Sequence, residues 1–373
     1  MLYRTMKKAN KDLSILGFGC MRLPVLENGH VNEPEAIRMI RHAIDRGVNY
    51  VDTAWPYHNG ESEPIVGRAL KDGYREKVSL ATKLPTWLVE KREDMDKFLD
   101  EQLKKLQTDH IDFYLVHSLM GESWKNMESL GVKDFLDDAL ADGRIKYAGF
   151  SFHDKYPAFK KIVDAYDWTF CQIQYNYMDE HYQAGRSGLR YAAKKGMGVV
   201  VMEPLRGGLL AKQVPAAMDI WAKAVEKRTP AEWGLRWVWD HPEVSVVLSG
   251  MSSMEQVEEN LAAAEKGLPW SMTKKDLALV AKVRSMFRSR MAVPCTGCGY
   301  CRPCPNGVDI PECFERLNIA CMYEDIEHAK TSYKFIGEGK ASKCEECGLC
   351  EERCPQGIPI PEKLKEVKAL FES

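Results

Sequence analysis

The run Glu33-Pro-Glu-Ala-Ile-Arg-Met-Ile-Arg-His-Ala-Ile-Asp-Arg-Gly47-Val-Asn-Tyr-Val-Asp52 joins a helix to a strand. Ile37, Ile40 and Ile44 recur at helical spacing, so one face is apolar and the other charged. Gly47 stands where a helix can close on a left-handed residue, and Val48 to Asp52 then reads as a short buried strand. The unit recurs. Lys91 to Gln107 sets Met95, Phe98, Leu99, Leu103 and Leu106 on one face and leads into Ile111-Asp-Phe-Tyr-Leu-Val-His117. Gly143 closes another helix before Ile145 to Phe150. Ile15 to Cys20, Lys77 to Ala81, Thr169 to Tyr175, Gly198 to Met202 and Val244 to Leu248 bring the strand candidates to eight. Helices alternating with buried strands imply a parallel sheet. Eight such units before residue 285 fit an α/β fold of the (β/α)8 TIM-barrel type better than an open sheet. No Gly-x-Gly-x-x-Gly follows the first strand, which removes the best support for a Rossmann domain.

Barrel enzymes place their catalytic groups at the carboxyl ends of the strands. On this reading the second strand ends in Asp52, the third runs into Lys83 and the fourth ends in His117. Tyr57 follows Asp52 by five residues, in the loop over the same mouth. Each alone has a plain explanation: a capping aspartate, a solvated lysine, a satisfied core histidine. Together they can assemble an acid for carbonyl reduction. A free tyrosine, with a pKa of about 10, is a poor donor at neutral pH. A neighbouring ammonium such as Lys83 favours the phenolate and lowers that value. His117 could orient a carbonyl or relay a proton, while Asp52 holds Lys83 in place.

The end of the chain has a different character. Ten of its twelve cysteines lie at or after Cys295. One cluster reads Cys295-Thr-Gly-Cys298-Gly-Tyr-Cys301-Arg-Pro-Cys304-Pro305, the other Cys344-Glu-Glu-Cys347-Gly-Leu-Cys350-Glu-Glu-Arg-Cys354-Pro355. Three cysteines at two-residue gaps with a fourth before proline is the ligand run of a bacterial-type [4Fe–4S] site. In the two-cluster arrangement the fourth cysteine ligates the other cube. One cluster then takes Cys295, Cys298, Cys301 and Cys354, and the other Cys344, Cys347, Cys350 and Cys304. The first motif is one residue shorter before its last cysteine, which leaves the sharing of Cys304 open. Two all-cysteine zinc sites are the competing reading. Disulfides fit less well, because the opening Met1 to Asp12 has no apolar leader segment. Cys313 and Cys321, on a helix-like stretch between the motifs, read as buried thiols, as do Cys20 and Cys171.

The chain of 373 residues has room for one large and one small domain, with boundaries expected at 1–285 and 286–373. A formal charge of −2 points to neither nucleic acid nor an acidic membrane surface. No apolar run approaches the roughly 18 residues of a membrane span. The expectation is a soluble, cytoplasmic protein in a compartment that leaves thiolates reduced.

Over residues 1–285 the chain resembles the aldo-keto reductase family. The resemblance rests on Gly47-Val-Asn-Tyr-Val-Asp52-Thr53-Ala54-x-x-Tyr57, Ala81-Thr82-Lys83, Asp112-Phe-Tyr-Leu-Val-His117 and Gly143-Arg-Ile-Lys-Tyr-Ala-Gly149-Phe-Ser151. It implies hydride transfer between a nicotinamide cofactor and a small-molecule carbonyl or alcohol. Tyr57 matches the family's general acid, with Asp52, Lys83 and His117 as its partners. Ser151 and Gln172 match positions that bind the nicotinamide carboxamide, and His153 stands where many members have asparagine. After the seventh strand many members stack an aromatic residue on the nicotinamide; this chain has Met202-Glu203-Pro204-Leu205, then Arg206-Gly207-Gly208, which could approach the pyrophosphate. Members that prefer NADPH often carry lysine, serine and arginine after the eighth strand. The aligned positions here are Gly250, Ser252, Ser253, Gln256, Glu259 and Asn260, without the cations that best hold a phosphate. NAD therefore fits at least as well as NADP.

The stretch between Cys304 and Cys344 is rich in helix formers and suits a mainly helical ferredoxin-like domain. The whole chain thus resembles the aldo-keto reductases with a C-terminal 4Fe-4S dicluster domain. Three functions are compatible with it. One is a nicotinamide-dependent reductase whose clusters are structural, regulatory or a docking point for an electron-carrier protein. Another is an electron-transfer enzyme whose clusters feed a second cofactor at the barrel mouth. The last is a redox-sensing partner protein, against which the intact quartet argues. No flavin motif is present, although a barrel mouth can bind a flavin without one.

Overall fold

A computed structural model of the chain describes residues 1–372. It divides into two compact units, Met1–Ala211 with Arg228–Leu277, and Lys212–Lys227 with Ala278 onward. The first unit opens with an antiparallel hairpin, β1 (Tyr3–Met6) and β2 (Lys11–Ser14). Eight parallel strands follow and close into a barrel: β3 (Leu16–Gly19), β4 (Tyr50–Asp52), β5 (Ser79–Leu84), β6 (Ile111–Leu119), β7 (Ile145–Phe152), β8 (Phe170–Gln174), β9 (Gly198–Met202) and β10 (Val246–Gly250). They lie in chain order, with β10 returning to pair with β3. The helices of this unit are α1 (Glu33–Asp45), α2 (Ser62–Ala69), α3 (Arg92–Leu106), α4 (Gly121–Ser129), α5 (Val132–Ala141), α6 (Tyr156–Ala165) and α7 (Gly185–Lys194), with two more after β9.

The α1–β4 unit shows why the sequence folds this way. Glu33 and Glu35 face the positive end of the helix dipole, and Pro34 sits in the first turn, where its missing N–H costs nothing. Ala36, Met39, Ile40, Ala43 and Ile44 form the buried face. Gly47, at φ +97°, turns the chain into β4, and a Cβ there would lie 2.8 Å from the Tyr3 hydroxyl. Only glycine meets both demands.

The hairpin closes the amino end of the barrel. Met6, Ala9 and Leu13 pack with Tyr50, Phe113, Phe170 and Val246 in one buried cluster. A side chain on Gly198, at the start of β9, would run into Met6. The strands' carboxyl ends form the other mouth, and the position of the strands there matters for the site. β5 runs on to Leu84, so Lys83 lies within it instead of beyond it. β6 continues past His117 to Leu119 through a register shift, with Ser118 at φ +53°.

In the second unit come α8 (Pro215–Trp221) and, beyond the barrel helices α9 (Pro230–Trp239) and α10 (Met254–Ala264), α11 (Lys274–Ser289), most of which belongs here. Then follow α12 (Ile310–Tyr323), α13 (Ile326–Tyr333), α14 (Leu349–Glu352) and α15 (Ile360–Phe371). The unit is helical throughout its described regular structure, as the helix-forming linker implied. Phe314, Leu317, Tyr333, Ile358, Leu364 and Val367 are among its core residues, and six of the motif cysteines pack against that core. One expectation fails here: Cys313 is buried but Cys321 is exposed. The α12 residues in that core are Ile310, Cys313, Phe314 and Leu317, and Cys321 lies beyond them toward the carboxyl end of the helix. No helix among the described residues is long and apolar enough to cross a membrane.

Candidate active site and cysteine sets

Asp52 is the last residue of β4, and Lys83 projects from the adjacent β5. Both side chains are sealed from solvent. Lys83 Nζ donates to Asp52 Oδ1 at 2.7 Å, to the Thr53 carbonyl at 2.8 Å and to the Tyr57 hydroxyl at 3.2 Å. An ammonium has three donors, and all three are used. Burial pulls the Lys83 pKa down, but Asp52 and Tyr57 more than offset this and the net shift is upward. Burial pushes the Asp52 carboxyl up, with Lys83 opposing. The pair is a buried ion pair.

Tyr57 differs from the sequence expectation. Lys83 does act to lower its pKa, but burial is the larger effect and leaves it above 10.0. At neutral pH the residue is a phenol. His117 approaches its ring edge-on, with centroids 6.3 Å apart. Burial, then Lys83 and His153, hold His117 well below its ordinary value, so the imidazole is neutral. Trp87, half exposed, leans on the same imidazole at 5.2 Å between centroids. The four expected residues therefore come together.

The other expected positions follow the carboxyl ends of neighbouring strands around the rim. Ser151, on β7, accepts the Ser118 amide hydrogen at 2.7 Å. His153, one residue past β7, lies 3.5 Å from Gln183 Nε2, and burial lowers its pKa. Gln172, on β8, uses its amide hydrogen on Met202 sulfur at 3.5 Å, at the end of β9. Pro204 is buried, Leu205 partly so, and Arg206 pairs with Asp179 at 3.2 Å. Gly250 ends β10. Ser253 caps α10 by accepting the Gln256 amide, and the Gln256 side chain turns back to the Ser252 amide at 2.9 Å. Glu259 takes the Thr229 hydroxyl, and Asn260 donates to Ser249 Oγ at 2.9 Å. Gln256, Glu259 and Asn260 are thus engaged within the protein.

Among the described residues, the buried polar atoms without a partner on this mouth include Asp52 Oδ2, His117 Nδ1 and Gln172 Oε1. Buried polar groups are nearly always paired, so these are the atoms a bound molecule would satisfy. A carboxamide N–H donor suits Gln172 Oε1, and the residues present fit a nicotinamide.

Some neighbours were not singled out from sequence. Cys20 follows β3 and is fully buried close enough to Asp52, Lys83 and Tyr57 to interact electrostatically. His58 and Asn59 are consecutive left-handed residues at φ +51° and +54°, a region that few non-glycine residues occupy. Trp124 is buried against Trp168, and Trp55 packs on Phe98 and under Lys105. Trp233, Trp237 and Trp239 are buried on α9, as packing residues.

In the second unit, Cys295, Cys298, Cys301 and Cys354 ring one cavity with Phe314 and Ile358. Cys304 lies with Cys344 and Cys347 near enough to Cys350 to push its thiol up, after burial, to about 11. Among the described residues no three His, Cys, Asp or Glu side chains close on a single-ion site. Thiols spread around a cavity fit a four-iron cube, whose ligands attach to different corners.

A closed barrel with a buried lysine–tyrosine cluster at its mouth, joined to a helical unit with two cysteine sets, defines an oxidoreductase with an iron–sulfur module. Residues 15–275 match the aldo/keto reductase family and 294–358 the 4Fe-4S dicluster domain. The chain belongs to the aldo/keto reductase family and carries a dicluster domain at its carboxyl end. Probable aldo-keto reductase 1 of Glycine max is 26% identical over 301 residues, 71% of this chain and 84% of that protein. L-galactose dehydrogenase of Arabidopsis thaliana is 28% identical over 309 residues, 75% of this chain and 93% of that protein. The holo form of an aldo-keto reductase from Bacillus halodurans superposes with a TM-score of 0.64 at 26% identity, covering 76% of this chain and 96% of that one. An aldo-keto reductase from Klebsiella pneumoniae, in complex with NADPH, shares the fold at a TM-score of 0.59 and 24% identity, over 76% of this chain and 96% of that one.

Proposed function

We propose that the chain reduces an aldehyde or ketone, or oxidises the alcohol, with a nicotinamide cofactor at the barrel mouth and Tyr57 as the proton donor. The observation that carries this reading is the buried Lys83 ammonium, which touches Asp52 and Tyr57 together. The nicotinamide supplies the hydride. Tyr57, kept protonated by burial, gives its hydroxyl proton to the oxygen, and Lys83 stabilises the phenolate left behind. Asp52 holds Lys83 charged. Neutral His117 aims a ring N–H at the carbonyl oxygen and fixes its orientation. Ser151, His153, Gln172, Met202, Pro204, Leu205 and Arg206 would hold the nicotinamide and pyrophosphate, with Gly250, Ser252, Ser253, Gln256, Glu259 and Asn260 beside the ribose. With Gln256 where a cation would stand, NAD is at least as well suited as NADP.

The same proposal divides the chain into domains at 1–285 and 286–373 and assigns a pair of [4Fe–4S] clusters to the smaller domain. One is held by Cys295, Cys298, Cys301 and Cys354, the other by Cys344, Cys347, Cys350 and Cys304. Such clusters would serve electron transfer or structure, and in the first role would meet an electron-carrier protein. A cytoplasmic setting would keep their thiolates reduced. Anaerobic purification with assays of iron, sulfide, zinc and flavin, followed by addition of NADH or NADPH, tests the whole reading. About eight irons, no flavin and clusters unbleached by the nucleotide are expected. Bound flavin, or clusters bleached by NADH, would replace it with an enzyme that splits electron pairs.

A further inference from the structure

Tyr57 sits on a short segment whose next two residues, His58 and Asn59, are both left-handed and neither is glycine. Such a backbone persists only where its surroundings hold it. The holding contact is specific. The His58 Nε2 accepts the Leu23 amide hydrogen at 3.1 Å, across 35 residues of chain. Leu23 closes the turn Cys20–Arg22 that follows β3, and Cys20 on that turn is a buried thiol near Tyr57, Asp52 and Lys83. One imidazole therefore joins the segment bearing Tyr57 to the wall of the site it faces.

We infer that His58 is a positioning residue for Tyr57: by accepting the Leu23 amide hydrogen it clasps the tyrosine segment to the turn after the first barrel strand, and protonation of the ring opens the clasp. The inference rests on the reading of Tyr57 as proton donor. Its chemistry is simple. An imidazole nitrogen accepts a hydrogen bond only while it is unprotonated, and in the imidazolium both nitrogens are donors. The Cys20 carbonyl is within reach of the ring and favours its protonated form. Protonation thus removes the bond to Leu23 and offers one to Cys20, which changes how the two segments are held. The titratable and charged groups that face this segment are Glu61 (which also pairs with His30), Cys20 on the clasped turn, and Lys83 at the Tyr57 hydroxyl. Of these, Glu61 acts on the imidazole and favours its charge; burial opposes and prevails, so the ring is neutral at neutral pH.

The test reads Tyr57 directly and needs no substrate. The full chain, with its clusters loaded, is labelled with ring-13C tyrosine, and the Tyr57 resonance is assigned by its absence in Tyr57→Phe. In the wild type this resonance moves in a step as pH falls below about 6.5, the ordinary histidine value. In His58→Gln the step is gone, because an amide oxygen accepts the Leu23 hydrogen and does not titrate. In His58→Ala, which lacks the bond to Leu23 at every pH, the neutral-pH resonance is displaced from its wild-type position and the step is gone. A Tyr57 resonance with no step in the wild type, or the same step in His58→Gln, overturns the inference. Failure of the proton-donor reading would show separately, as undiminished turnover in Tyr57→Phe.

Discussion

Lys83 and Asp52 lie 2.7 Å apart on adjacent strands, with neither side chain in contact with solvent. Each is costly to bury alone and tolerable only with the other. Removing one partner leaves an uncompensated charge in the barrel, which typically costs about 3–5 kcal/mol. Lys83→Met should therefore lower the unfolding free energy of the barrel by that order and bring its urea midpoint down. The double variant Lys83→Met with Asp52→Asn should recover some of the loss. A urea titration followed by tryptophan fluorescence reads both. A single variant as stable as the wild type would mean that the pair is not sealed in solution.

Tyr57→Phe keeps the ring and removes only the hydroxyl at 3.2 Å from Lys83. Loss of a positioned acid usually lowers turnover by about 10²–10⁴-fold. Nucleotide affinity should change little, since Gln172 and Ser151 lie on other strands. Stopped-flow turnover and nucleotide titration separate the two effects. Turnover within a few-fold of the wild type would remove Tyr57 from the chemistry.

How far this site could be read beforehand depends on what burial hides. Eight strands were legible because barrel strands are covered on both faces and so read as apolar runs between glycine stops. The amino-terminal hairpin was not. Its core-facing Met6, Ala9 and Leu13 are interleaved with Lys7, Lys8, Lys11 and Asp12, and no continuous apolar run marks it. The proximity of Lys83 to Tyr57 followed from strand order. The sign of the Tyr57 shift did not, because it depends on how much desolvation opposes one ammonium. His58 carries no sequence signal for its role; only the bond to Leu23 shows it.

Acid should weaken the fold through its buried imidazoles. His117, His153, His58 and His241 are all lowered, burial being the largest cause in each. Below about 6.5 the unfolded chain binds protons at these sites and the native state does not, so stability falls as pH falls. The contribution is complete above the unfolded value and is lost progressively toward each folded value. His117, shifted furthest among them, should carry a visible share. Urea midpoints measured at neutral and mildly acidic pH should show a decrease that shrinks in His117→Gln. An equal decrease in both proteins would place the acid sensitivity elsewhere.

Interlocked ligation can be separated from ligation within each motif by counting iron in double variants. Cys354 belongs to the second motif by sequence but shares a cavity with Cys295, Cys298 and Cys301. If it completes the first cluster, Cys298→Ala and Cys354→Ala damage the same cube. Their combination should then leave about four of the eight irons of two intact cubes. If each motif holds its own cluster, the same pair strikes both cubes and leaves almost none. Cys298→Ala with Cys347→Ala supplies the reference, since it strikes both cubes under either scheme. The cysteines also pack against the core around Phe314 and Ile358, so losing one cube should soften the unit without erasing α12 and α15. Circular dichroism on the iron-counted samples checks that the remaining helices are present. Retained helix with about four irons in the Cys298/Cys354 pair would establish the crossing, and near-complete iron loss in that pair would reject it.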